Sequence, residues 1–410
     1  MVTRAGSFQG FITFCAIVWL CTPALGQDPT LSQNLATQFH TILREKASFD
    51  DADFAALAQG ETVVKLLPVQ DRREVAVRGL VRLQAPAEVF LQSFREGMAR
   101  KNNPAILEIG SFSSPPRLED LQTLTFEKHD VEDLKECVVG DCQLKLSAMM
   151  IERFQKEMDW SAPDYRMRAA HLLKLMLLDY VRDYLARGEE GLIEYNDKPQ
   201  AVRLAEEQRA LLAAPGFVKD IFAEFPQYLK RISTTELPVM ENALVWSKIN
   251  IGLKPVIAIN HIMIYKVEQE AGPQILIVSK QIYANHYFDS SLGVTAFVNI
   301  PGPNPGSYLF YENRSRADGL GGPFGKIKRR IVENRAVDAL NAVLEQSKLT
   351  LNARALNRPE FVPDVEPRWR QWTIGGVHLF LWLFLITAAV ALWALRSYDW
   401  KGGFGGRARH

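Results

Sequence analysis

The chain has little excess charge of either sign. Across 410 residues, 48 Lys and Arg face 47 Asp and Glu, for a formal net charge of +1. Without a basic surplus, nucleic acid is not an expected partner. Cysteine is scarce too. Of four, Cys15 and Cys21 fall in an N-terminal apolar segment, which leaves Cys137 and Cys142 for the folded part. Their C-x4-C spacing lacks the further ligands of a zinc site, and no C-x-x-C-H run could attach haem. No G-x-S-x-G elbow surrounds Ser290-Ser291, which argues against a serine hydrolase. The glycine-rich stretch Gly319 to Gly325 has Leu320 where a phosphate loop needs glycine, and Ile327 where it needs Ser or Thr. The sequence therefore assigns no catalytic residue, no metal and no cofactor.

What is present begins at the two ends. Arg4, the apolar run from Phe11 to Leu20 and the small-residue site Ala24-Leu25-Gly26 read as a secretory signal peptide, residues 1–26. From Trp372 to Leu395 there is no charged residue, and about 20 apolar residues suffice to span a bilayer. The tail 396–410 carries Arg396, Lys401, Arg407 and Arg409 against Asp399, which places it on the cytoplasmic side. Pro359, Pro363 and Pro367 make residues 351–371 a semi-rigid linker. The expectation is a single-pass membrane protein with an exported body, periplasmic or extracellular, and a cytoplasmic C-terminus. In an oxidising compartment a Cys137–Cys142 disulfide becomes reasonable.

Residues 27–60 read as an N-terminal helical segment, with Leu35, Phe39, Ile42 and Leu43 on one face of a helix from Leu31 to Lys46. Strands follow over Thr62–Leu67 and Glu74–Leu83, where Val75, Val77, Gly79 and Val81 alternate with Ala76, Arg78, Leu80 and Arg82. Ala85-Pro86-Ala87 then opens a helix whose apolar face is Ala87, Phe90, Leu91, Phe94 and Met98. Further strands are expected over Ala105–Phe112 and Leu121–Phe126, and a hairpin over Asp130–Leu146 with Gly140-Asp141 at its tip. Residues 147–233 form a helical insertion without strand signal, including helices over Ala201–Leu212 and Phe217–Leu229. Its Leu and Met stripes read as core packing. Strands resume over Val239–Ile249, Pro255–Val267, Gln274–Phe288, Val294–Ile300 and Ser307–Asn313, and their short turns predict an antiparallel meander. A helix from Ile327 to Leu349 closes the domain, 61–350. Lys326, Lys328, Arg329 and Arg330 crowd its first turns, the unfavourable end for cations.

The run EVAVRGLVRLQAPAEVF at Glu74 to Phe90, with the meander and closing helix, resembles the START-like or SRPBCC superfamily, the helix-grip fold. The resemblance implies an α+β fold: a curved antiparallel sheet gripping a long C-terminal helix, with an apolar cavity between them. Members bind lipids, sterols or other hydrophobic molecules, and a few catalyse cyclisation. The large insertion departs from that pattern. Pairing Val267 with Gln274 across the second hairpin sets His261 opposite Lys280 and Ile259 opposite Ile282. One face then holds His261, Lys280, Ile282 and His286, and the other Asn260, Gln281, Tyr283, Asn285 and Tyr287. The candidate ligand-binding residues are Lys280, Tyr283, His286, Tyr287 and His261. The first expectation is a membrane-anchored binding protein for a hydrophobic small molecule or lipid. The second is an envelope interaction or assembly protein that uses the insertion on a protein partner. The third is an enzyme using His261 or His286. Bulky Tyr287, Phe288 and Phe297 filling the space under the last helix would defeat the binding expectation, and a pocket of about 300 Å³ or more would support it.

Overall fold

The computed structural model describes residues 41, 43–99, 106–214, 239–250, 254–267, 274–300, 305–321 and 325–356. The signal segment 1–26, most of the helix Leu31–Lys46, the insertion helix Phe217–Leu229, the linker beyond residue 356, the apolar segment 372–395 and the tail 396–410 lie outside these residues. Among the described residues, no helix is long and apolar enough to cross a membrane.

The chain is α+β, with a large antiparallel sheet and several helices. Its strands are β1 (Val63–Leu66), β2 (Glu74–Leu83), β3 (Ile106–Ser111), β6 (Val239–Ile249), β7 (Val256–Val267), β8 (Gln274–Ala284), β9 (Phe288–Ile300) and β10 (Gly306–Ala317). They run in the order β1-β2-β10-β9-β8-β7-β6-β3. The meander β6 to β10 is thus extended at one edge by β2 and β1 and at the other by β3. A small ladder of β4 (Glu194–Tyr195) and β5 (Val202–Arg203) lies in the insertion. The helices are α1 (Asp51–Ala58), α2 (Ala87–Ala99), α3 (Lys128–Glu136), α4 (Ala148–Glu157), α5 (Tyr165–Arg187), α6 (Leu204–Leu212) and α7 (Gly325–Ala355).

Both faces of the sheet are covered, and the period-2 pattern assigns each strand residue to one of them. On the inner face, Val75, Val77, Val81, Ile262, Ile264, Ile277, Phe297 and Leu309 share a core with Val332, Ala336, Leu340, Val343, Leu344 and Leu351 of α7. These α7 positions recur every three or four residues, as one buried helix stripe requires. Gly79 lets the helix sit directly on β2, because a Cβ there would collide with Leu344. On the outer face, Leu80, Met263, Leu276, Val278, Val294 and Phe310 pack with Leu43, Phe49, Leu57 and Leu211. Helices α3 to α5 bury Trp246, Ile257, Ile259, Ile282 and Tyr283 at the β6–β8 side.

Several local expectations are corrected. Leu121–Phe126 is no strand: Leu118–Leu121 is a 3-10 turn and the rest is irregular. Asp130–Leu146 is no hairpin, because Val131 and Leu134 are buried at helical spacing in α3. After α3, Cys137 and Cys142 form a disulfide around the turn Val138–Asp141, and Gly140 there adopts φ +89°. The insertion does contain strands, β4 and β5. The stretch from Gln274 onward is not one strand to Phe288. It breaks at Asn285-His286-Tyr287, and Asp289, Ser290 and Ser291 belong to β9.

A ladder of buried ion pairs crosses the outer face. Arg78 Nε donates to Glu312 (2.8 Å), and Arg314 bridges Glu312 (3.1 Å) and Glu74 (2.7 Å). Arg316 bonds Glu74 (3.2 Å) and Glu207 of α6 (2.8 Å). Arg73 continues from Glu207 (3.0 Å) to Asp289 (3.1 Å), which Lys145 meets at 3.0 Å. Burial pushes the Glu312 carboxyl up, against the pull of Arg78 and Arg314. Lys145 is held above the usual lysine range: Asp289, Asp197 and Asp318 outweigh its large desolvation cost. The ladder ties the insertion to the sheet, since Lys145, Asp197 and Glu207 all come from around α4 to α6. Removing one member of a buried pair strands its partner, whereas replacing both by apolar groups is close to neutral. Glu312→Leu leaves both Arg78 and Arg314 short of a partner, so it should cost about 3–5 kcal/mol in urea unfolding, more than Arg78→Met, after which Glu312 keeps Arg314. Equal costs for the two variants would show that the Arg314 contact adds nothing.

Candidate functional site

The five residues singled out from sequence do not converge. His261 and Lys280 are cross-strand partners on the outer face, in the expected register. One position later the register shifts. Ile259 pairs with Tyr283 and Asn260 with Gln281, so Ile282 is an extra residue in β8. The bulge turns Tyr283 to the outer side, contrary to its expected place beside Gln281. There it packs between Tyr180 and Tyr195, ring centroids 6.3 Å from each, and its hydroxyl has no hydrogen bond. His286 leaves the sheet: Nε2 lies 3.0 Å from Asp130 and Nδ1 lies 3.2 Å from the Gln143 carbonyl. Tyr287 takes φ +62° in the β8–β9 turn and packs on the inner core.

His261 is spent as well. Tyr184 lies 2.7 Å from Nδ1, and Nε2 is 2.6 Å from Asn242 Oδ1. Burial, with Lys280 adding to it, pushes His261 down to about 3, so it is neutral at pH 7. In that form Tyr184 donates to Nδ1 and Nε2–H donates to Asn242. Neither histidine thus has a ring nitrogen left for a substrate. Among the described residues, no group of three His, Cys, Asp or Glu could hold a metal ion.

The inner face tells a different story. The register aligns successive rows across β7 to β10. Phe297 and Leu309 stand at one end, and Phe288 and Ala317 at the other. Phe90 of α2 stacks on Phe297 at 4.8 Å. Between these ends the rows mix isoleucine with polar groups: Ile264, Ile277, Thr295 and Tyr311, then Ile262, Ser279, Gly293 and Asn313, then Asn260, Gln281, Ser291 and Ser315. Part of this belt satisfies itself. Ser315 donates to Asn313 Oδ1 (2.8 Å), and Ser291 lies 2.8 Å from Ser315 and accepts from Asn313 (3.4 Å). The rest does not. Ser247 Oγ, Gln281 Nε2, Thr295 Oγ1 and Tyr311 OH are buried without a hydrogen-bond partner. Burial pushes the Tyr311 hydroxyl up, away from ionisation, against a weaker pull from the Asn313 side chain. Buried polar groups are nearly always paired; Gln208 Oε1, Tyr283 OH and Ser290 Oγ are unpaired on the outer side as well, and the inner face is set apart by having four such atoms.

No family model matches this chain, and no curated protein does. The geometry alone must carry the reading. Two surface clefts lie elsewhere, and no residue of the polar belt lines either. One, of about 560 Å³, is lined by Arg72, Leu320, Gly321, Gly325, Lys326 and Arg329, at the start of α7. The other, of about 430 Å³, lies on the insertion between Met158, Met167, His171 and Leu172.

The polar belt was only partly visible in sequence. Asn260 and Gln281 were placed together correctly, but β10 was ended at Asn313 and Ser291 was read as loop. The available signal was the alternation Tyr311-Glu312-Asn313-Arg314-Ser315-Arg316, neutral and charged by turns.

Lys280 yields a prediction of its own. It is 7% exposed, with the Tyr184 ring 5.8 Å away and the charge of Glu189 pulling against its desolvation. Burial pushes its ammonium down to about 8. A lysine depressed on folding contributes full stability above its unfolded value, and loses it as pH falls from about 10.5 to about 8. At pH 7 the charged form costs about 3 kcal/mol. Lys280→Met should raise the urea midpoint at pH 7 and flatten the rise in stability between pH 8 and 10. An unchanged pH profile would mean that the ammonium is fully compensated.

Proposed function

We propose that this chain is an exported, membrane-anchored binding protein. On this reading its frame is START-like, a helix-grip body that holds a hydrophobic or lipid-like ligand against the inner face of the sheet. The unpaired Ser247, Gln281, Thr295 and Tyr311 groups carry the reading, because they need a partner that the described residues do not supply. The strand β2 running through Ala85-Pro86 into α2, and the long α7 seated on β2, support the frame. The Cys137–Cys142 disulfide supports an oxidising compartment, in keeping with the signal-like 1–26 and the apolar 372–395. Tyr287, Phe288 and Phe297 do pack into the core shared with the last helix, which meets the condition set against binding, so the unpaired polar groups alone keep this reading.

One observation favours the second reading, an envelope assembly protein. Met149 and Met167, 67% and 69% exposed, sit on the insertion, and Met167 borders the 430 Å³ cleft. Flexible methionines suit an adaptable protein contact.

Native mass spectrometry of the full chain, released from membranes in mild detergent, separates the two. The binding reading predicts a stoichiometric small molecule that survives gentle desolvation. A ligand-free chain that co-purifies with a protein partner would replace it with the assembly reading.

A further inference from the structure

The open cleft on the insertion gathers metal donors that the His, Cys, Asp and Glu side chains alone do not provide. Its volume is about 430 Å³, and Met158, Met167 and His171 line it beside Leu172, Glu157 and Arg168. A lone surface methionine needs no explanation. Two thioethers and an imidazole around one void are a set of soft, neutral ligands.

Local structure brings the three together. Met167 and His171 are four residues apart on α5, so they share one helix face, with Cβ atoms about 5–6 Å apart. Met158 closes α4, its N–H donating to the Phe154 carbonyl (3.3 Å). The connection from there to α5 is braced. The Trp160 ring packs on Phe154 and Tyr165, centroids 6.3 and 6.1 Å away. Asp159 accepts from Ser161 N (3.0 Å) and Oγ (2.6 Å). Leu172, 8% exposed, anchors α5 in the insertion core. The frame is fixed, while the unbranched methionine side chains can adjust their sulfur positions over it.

The soft donors are accessible and the hard ones are taken. Met167 is 69% exposed, His171 is exposed and Met158 is half-buried. The His171 ring makes no hydrogen bond or ion pair with the described residues. Glu157, by contrast, is held by Arg153 through two hydrogen bonds (2.7 and 3.1 Å). Zinc takes thiolate, imidazole or carboxylate, and finds only His171 uncommitted here. Cys137 and Cys142 supply no thiolate, because they are joined in their disulfide. Arg168 adds positive charge at the cleft, which repels a dication twice as strongly as a monovalent ion. Thioethers also persist in an oxidising compartment, where thiols pair off.

We propose that Met158, Met167 and His171 form a binding site for a soft monovalent metal ion, Cu(I). The site stands on the insertion and does not depend on a ligand at the inner face of the sheet.

The test uses the full chain in mild detergent, with free thiols blocked by N-ethylmaleimide. Cu(I) is offered as its ferrozine complex under ascorbate, without oxygen. The chain should withdraw a stoichiometric amount of copper and bleach the complex. Copper X-ray absorption should show sulfur and imidazole neighbours together. Zn(II) in about tenfold excess should leave the copper in place. Met158→Leu, Met167→Leu and His171→Asn should each weaken Cu(I) binding at least about tenfold. All three side chains reach solvent, so the melting temperature of the metal-free chain should hold. Met149, 67% exposed at the other end of α4, lies outside the cleft, and Met149→Leu should bind like the parent. Copper left with ferrozine, displacement by zinc, or unchanged binding in the folded triple variant would each overturn the proposal. Equal weakening by Met149→Leu would overturn it too, by showing that any exposed thioether suffices.

Discussion

The buried ion pairs of β2 and β10 all lie on one face of the sheet, and much of the structure depends on them. The outer side of β2 and β10 carries Glu74, Arg78, Glu312, Arg314 and Arg316, all but fully buried. Buried charges are tolerable only when each has a geometrically good partner. The ladder provides one at every step, and it borrows Glu207 and Asp197 from the insertion, and Lys145 from just before it, to do so. The insertion is therefore a required cover for the sheet, because without it Arg316, Arg73 and Asp289 would lose partners. The inner side of β2 and β8 to β10 holds apolar residues and neutral hydrogen-bonding groups, while Glu241 of β6 pairs there with Arg95 of α2.

A second constraint acts at the end of β8. The extra residue Ile282 and the turn Asn285-His286-Tyr287 redirect the chain into β9. The turn is pinned by its neighbours. Asn285 exchanges hydrogen bonds with Ile257, and its carbonyl accepts from Lys145 N (2.8 Å). His286 faces Asp130 of α3. The aromatic trio Tyr180, Tyr195 and Tyr283 fills the space beneath the bulge, with Tyr195 accepting from Ala284 N (2.9 Å). The histidine and tyrosines that looked like ligand fixtures thus hold a turn and a bulge in place. Their polar atoms are used on the protein itself, or, for Tyr283, sealed away from the inner face.

How much the sequence disclosed follows from how local each signal is. The alternation of β2, the Ala-Pro entry to α2, the meander and the closing helix are short-range patterns, and all are found in the structure. The register His261 opposite Lys280 was legible from loop length alone. The shift at Ile282 was not, because a bulge depends on packing against α5 and β4, far away in sequence. Segment 128–136 misled because its two apolar positions are few among charges, and a cysteine pair after it suggested a hairpin. Asp289, Ser290 and Ser291 looked like turn residues; Asp289 is tolerated at the start of a strand only because Lys145 and Arg73 meet it there. The polar belt was hidden for the same reason: it exists only once five strands are aligned.

The central claim is that the neutral belt on the inner face awaits a partner molecule. A high-resolution crystal structure of the protein isolated from its own membranes tests it most directly. The account predicts non-protein density between β6 and β10, within hydrogen-bond distance of Gln281 Nε2 and Thr295 Oγ1. Side chains repacked to satisfy Ser247, Gln281, Thr295 and Tyr311 among themselves, with no such density, would contradict it.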